Sequence, residues 1–147
     1  MTTDLSYKTF GREKSINEIL YKTTCWNADL RFKKAELKFI LKLIDTYPFN
    51  TNTRNLFERI QLFTKDLKNL ENELHNLSIN IDSYTKYLIG QEEEPHPDQK
   101  NYYLVKYHSM AEAIFNYNKT YDKLKQNVYE YISGIMEPNL NSKKQLT

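Results

Sequence analysis

The sequence predicts an all-α fold, an antiparallel three-helix bundle of long helices with coiled-coil-like 4-3 packing. Three observations carry this. Glycine (3) and proline (4) are sparse in a chain of 147 residues, which favours a few long helices over many short elements. Apolar residues recur in alternating steps of four and three over about four heptads in two separate segments. The few breakers fall where they divide the chain into three pieces, and short connections make consecutive helices antiparallel.

The opening stretch, MTTDLSYKTFGREK, has no apolar run and an early acid, so residues 1–14 are expected to be a flexible arm rather than a secretory signal. The first helix is placed at 15–47. Ser15-Ile16-Asn17-Glu18 is a capping box, in which the hydroxyl takes an orphan amide and the Glu side chain reaches back. Pro48 disfavours helix at Tyr47 and opens a loop of turn residues. The second helix, 53–89, is capped by Asn52 or Thr53 and stopped by Gly90 in a left-handed conformation. The loop EEEPHP follows. The third helix is placed at 98–136, ahead of Pro138, with 137–147 a mobile tail.

Leu56, Ile60, Phe63, Leu67, Leu70, Leu74, Leu77, Ile81, Tyr84 and Leu88 form the seam of the second helix. Tyr103, Tyr107, Met110, Ile114, Tyr117, Tyr121, Leu124, Val128, Tyr131 and Ile135 form that of the third. Such spacing holds one stripe toward a partner along the whole helix. At 1.5 Å per residue the helices span roughly 50–60 Å.

The first helix is different because it has two apolar stripes. One is Ile19, Trp26, Leu30, Leu37, Ile40 and Ile44; the other is Cys25, Ala28, Phe32, Ala35, Phe39 and Leu43. Two readings of the second stripe are open. Either the helix sits between the other two and buries both stripes, or the second stripe, with Cys25, Phe32, Phe39 and Leu43, forms a homodimer interface. A local repeat generates the pattern: Asp29-Leu30-Arg31-Phe32 recurs as Glu36-Leu37-Lys38-Phe39. Preceded by Trp26, it reads W-x-x-D-L-x-F-x-x-x-E-L-x-F. This resembles a motif in a loose group of uncharacterised bacterial helical proteins of similar length. The resemblance covers the first helix, and it implies a helical bundle without implying an activity or a ligand.

Between the stripes lie Asp29, Lys33 and Glu36, on one face and spaced for consecutive ion pairs. If the first and third helices run parallel, Tyr117 and Tyr121 lie near the level of Glu36. The strip then becomes a partly buried polar layer that sets helix register. The same levelling brings His75, His108 and Glu112 near Asp29, a weak metal constellation. Each histidine points about 100° off its seam, no Glu-x-x-His pair occurs, and Lys33 would repel a cation. No resident metal or cofactor is expected.

Arg31, Lys34, Lys38 and Lys42 form a basic ridge on the first helix, read as a solvated face. A net charge of +2 and the acids Glu71, Glu73, Glu92, Glu93 and Glu94 disfavour nucleic acid as a partner. Cys25, the single cysteine, excludes an internal disulfide and fits a reducing, cytoplasmic setting. Its place in an apolar stripe marks it as a buried structural thiol rather than a nucleophile. No stretch is apolar enough to span a membrane. No phosphate loop, metalloprotease motif or zinc-cysteine set occurs, so an enzyme is not expected. The expected function is a non-enzymatic helical interaction module, self-associating through the first helix or engaging a protein partner. The alternative is a bundle that binds a metal or small ligand among acidic, His and Tyr side chains.

Overall fold

A computed structural model describes residues 14–46, 54–96, 98 and 100–146, apart from the side chains of 54, 55, 100 and 135–146. The described residues form α1 (Ile16–Thr46), α2 (Arg54–Glu93) and α3 (Lys100–Leu146), with no strand among them. The helices have 31, 40 and 47 residues. At 1.5 Å per residue they are about 47, 60 and 70 Å long.

The start of α1 follows from its cap. The Glu18 amide donates to Ser15 Oγ at 3.2 Å, and the Ser15 amide donates to Glu18 Oε1 at 3.1 Å. This closes the reciprocal box and satisfies two orphan donors. The expected flexible arm lies outside the described residues except for Lys14. So do Tyr47, the loop 48–52 and the cap at Asn52 or Thr53.

Two helix ends differ from the sequence reading. α2 does not stop at Ile89, because Gly90 is helical and its carbonyl accepts the Glu94 amide at 2.9 Å. Glycine costs a helix only about 1 kcal/mol relative to alanine. The effective stop is Pro95, which turns Glu94 away from helical geometry. α3 does not end near Met136 but runs through Pro138 to Leu146, so the segment read as a mobile tail is helical. Proline's fixed φ is compatible with a helix, at the cost of the amide hydrogen bond to the Gly134 carbonyl, and residues 139–146 contain no further breaker.

Side-chain contacts set the directions. Tyr84 donates to the Tyr103 carbonyl at 2.7 Å, while Phe63 meets Tyr131 edge-on at 5.4 Å, so α2 and α3 are antiparallel. Trp26 stacks on Tyr107 at 5.6 Å, and Glu36 meets Tyr121 and Lys125, so α1 and α3 are parallel. α2 packs closest to both neighbours, whereas α1 and α3 are bridged mainly by long side chains.

The core is one cluster drawn mainly from one stripe of each helix, with Leu104 and Ile132 of α3 buried beside its series and Leu43 of α1 packed against it. Ile19, Trp26, Leu30, Leu37, Ile40 and Ile44 are all buried, as are Leu67, Leu70, Leu74, Ile81, Tyr84 and Leu88 of α2. From α3 come Tyr103, Tyr107, Met110, Ile114, Tyr117, Tyr121 and Val128. Each such side chain contributes about 1.5–3 kcal/mol when fully covered. Among the described residues no helix is long and apolar enough to cross a membrane.

The helical state of Gly90 is testable. No atom lies within 4 Å of where a Cβ would sit at Gly90. Gly90→Ala should therefore stabilise the protein by about 0.5–1 kcal/mol, measured by urea denaturation. A loss of stability would mean that Gly90 holds a left-handed stop.

Candidate functional site

The inward face of α1 has a seam more continuous than its apolar residues alone suggest. Ile19, Thr23, Trp26, Leu30, Lys33, Leu37, Ile40 and Ile44 follow unbroken steps of four and three. Two of these places are polar. Thr23 is buried and returns its hydroxyl to the Leu20 carbonyl at 2.8 Å. Lys33 stands where an apolar residue would be expected, and its side chain is only 12% exposed.

A polar layer has formed around that lysine. Lys33 Nζ donates to both carboxylate oxygens of Asp29, at 2.9 and 2.8 Å. It also sits 5.2 Å from the centre of the Tyr121 ring, with Lys125 Nζ at 5.5 Å from the same ring. Two ammonium groups thus lie against one π-system, an attraction that strengthens as water is excluded. The Tyr121 hydroxyl donates to Glu36 Oε1, and Lys125 reaches the same oxygen at 3.2 Å. Burial first, and then the hydrogen bond to Glu36, push the Tyr121 phenol well above its ordinary range. Every charge in this layer has a partner, as burial requires.

The layer corrects the sequence reading in two places. Asp29 is 44% exposed at its side chain, so only Glu36, at 18%, is substantially covered. Lys33 tucks its stem into the seam and draws Asp29 to the edge. Tyr117 does not reach Glu36; its hydroxyl donates to the Leu70 carbonyl of α2 at 2.8 Å. Tyr117 and Tyr121 are one turn apart, which rotates one toward α2 and the other toward α1.

The second stripe of α1 faces outward. Phe32 and Phe39 are 64% and 61% exposed, and Cys25, Ala28 and Ala35 are also exposed. Leu43 is half-buried against the core. Cys25 is therefore not the buried thiol expected of it, because it lies nearly opposite the seam that α2 and α3 cover. The reading in which α1 buries both stripes fails for the same reason. One member escaped the sequence reading: Tyr21, at 71% exposure. It stands four residues before Cys25, so Tyr21, Cys25, Ala28, Phe32, Ala35 and Phe39 form a second series in steps of four and three. The spacing is the signal for it, masked by the tolerance of tyrosine for solvent.

The metal candidates do not assemble. His108 and Glu112 line one groove between α1 and α3, of about 540 Å³, with Lys22, Phe115 and Asn118. His75 is exposed on α2 and outside that groove. Among the described residues no group of three His, Cys, Asp or Glu side chains could hold a metal ion. The aromatic floor of the groove, Trp26 and Tyr107, is itself buried, so a small ligand has little ring surface to meet. The basic ridge Arg31, Lys34, Lys38 and Lys42 is exposed along its length, beside the outward stripe.

Comparison of the chain with family models, with curated proteins and with solved structures finds no match.

Glu36→Gln keeps an acceptor for Tyr121, whereas Glu36→Leu orphans a buried hydroxyl. The leucine variant should lose about 1–3 kcal/mol more than the glutamine variant in urea melts. The reverse order, with the leucine variant the more stable, would mean that the carboxylate matters only as a desolvated charge.

Alkaline titration gives a second check. Tyr84, Tyr117 and Tyr121 all have raised phenol pKa values, chiefly from burial. The folded state then holds these protons more tightly than the unfolded chain. Their contribution is complete below the ordinary tyrosine pKa, near 10, and is lost as pH rises from there through the raised folded values. Melting temperature against pH should fall above about 10 for the wild type and fall less steeply for Tyr121→Phe.

Proposed function

We propose that the chain is a non-enzymatic helical interaction module that self-associates through α1. One observation carries this reading. α1 repeats the 4-3 spacing of an interhelical seam on the face turned away from its own bundle, and that face is exposed from Tyr21 to Phe39. Scattered surface apolar residues are ordinary, but an exposed stripe in register over about 27 Å is not. Its three aromatic side chains, Tyr21, Phe32 and Phe39, are of the kind that anchor protein interfaces. A second copy of the same helix is the occupant whose spacing matches by construction, since both helices carry the same series. The alternative of a metal site is disfavoured by the separation of His75 from His108 and Glu112.

Light scattering after size exclusion should give twice the chain mass for the wild type. Phe32→Ser with Phe39→Ser should give a folded monomer with unchanged helix content. A monomeric wild type contradicts the proposal. An unfolded variant would place the two rings in the internal core, against their exposure.

A further inference from the structure

We infer that two copies of the chain pair α1 against α1 in parallel and in register. This rests on the self-association proposed above and adds its orientation, which the charges beside the stripe decide.

The seven-residue repeat of α1 assigns each of its positions a distinct place. In Asp29-Leu30-Arg31-Phe32 and again in Glu36-Leu37-Lys38-Phe39, the leucine is buried in the bundle and the phenylalanine lies on the outward stripe. The acid falls on one flank of that stripe, following Ala28 or Ala35. The base falls on the other flank, preceding Phe32 or Phe39. The two edges of the exposed surface therefore differ in sign.

A two-fold axis parallel to α1 sets each flank against the opposite flank of the partner. A two-fold axis perpendicular to α1 sets each flank against its own kind. In the parallel arrangement a residue of the basic flank meets the residue five places later on the partner's acidic flank. Arg31 then faces the partner's Glu36, twice by symmetry, and Thr24 faces the partner's Asp29. Neither pairing opposes like charges. In the antiparallel arrangement centred on Leu30, Arg31 meets the partner's Arg31 and Asp29 meets the partner's Asp29. The contacts of Lys22 with the partner's Glu36 only offset these. Sliding the antiparallel pair to set Phe32 on the partner's Ala35 brings Arg31 against the partner's Lys38 and Asp29 against the partner's Glu36.

The groups are available for this. Arg31 and Lys38 are exposed and have no ion pair among the described residues. Glu36 is largely covered but keeps 18% of its side chain exposed, and because Tyr121 and Lys125 both bind its Oε1, the other oxygen retains lone pairs for a further cation. Charge pairs at such flanking positions select partner and orientation more than they add affinity.

Cys25 reports the orientation. In the parallel dimer the two thiols share one layer of the stripe. In the antiparallel dimer centred on Leu30 they lie about ten residues, or about 15 Å, apart along the axis. A disulfide needs Cα atoms within about 7 Å. The full chain, first shown to be dimeric by light scattering, is treated with diamide and run on a non-reducing gel. We expect a covalent dimer that is absent from Cys25→Ala and from Phe32→Ser with Phe39→Ser. We also expect Arg31→Glu, an exposed change, to raise the dimer dissociation constant about tenfold or more. A dimer whose Cys25 thiols do not join overturns the inference. So does one in which wild-type chains cross-link only to a Cys25→Ala, Ala35→Cys variant, because that result marks the antiparallel pair. A chain that is monomeric before oxidation overturns the self-association itself, which separates the two failures.

Discussion

A helix that turns 100° per residue keeps one line of side chains toward a neighbour only when its contact residues recur in steps of four and three. That constraint organises this molecule. α2 and α3 each meet it once, and their stripes close on a single core. α1 meets it twice, on faces nearly opposite one another, and the bundle has helices enough to cover only one of them. The outward stripe is what remains when the same rule is applied to a helix with two seams and one bundle.

The polar layer explains how α1 selects which face goes inward. Both stripes are apolar, so hydrophobic burial alone discriminates poorly between them. Lys33 occupies the inner series, and α3 presents Tyr121, Glu36 receives the phenol, and Lys125 completes the layer. Turning the outer stripe inward would strand these groups or open them to water, at a cost set by desolvation rather than by packing. The layer also fixes the level at which α1 and α3 meet, which matters because those two helices are bridged by long side chains instead of close backbone contact. Its stabilising value is modest beside that of the core; its effect lies in register and facing.

Much of this was legible in the sequence. The apolar series of α2 and α3 and the capping box at Ser15 and Glu18 follow from spacing and local chemistry, which a linear chain displays directly. The parallel levelling of α1 with α3 placed Tyr121 near Glu36 correctly, yet it could not separate Tyr121 from Tyr117, since a turn of offset decides which helix each hydroxyl faces. Gly90 does not end the helix, because glycine only weakens it, while Pro95 five residues later stops it. Lys33 and Thr23 hid a complete inner seam because their side chains are ordinarily found on wet faces. Cys25 was expected inside because its stripe is apolar, and composition alone does not say which of two apolar stripes a bundle will use.

If α1 pairs with a second copy in solution, its outward stripe is covered there. Hydroxyl-radical footprinting across a concentration series tests it most directly. The molecule supplies its own controls: Phe57 and Phe115 are 52% and 56% exposed, close to Phe32 and Phe39, but lie on other helices. With α1 paired, oxidation of Phe32 and Phe39 falls as the protein is concentrated while Phe57 and Phe115 stay reactive. Equal oxidation of all four rings at every concentration would contradict the pairing.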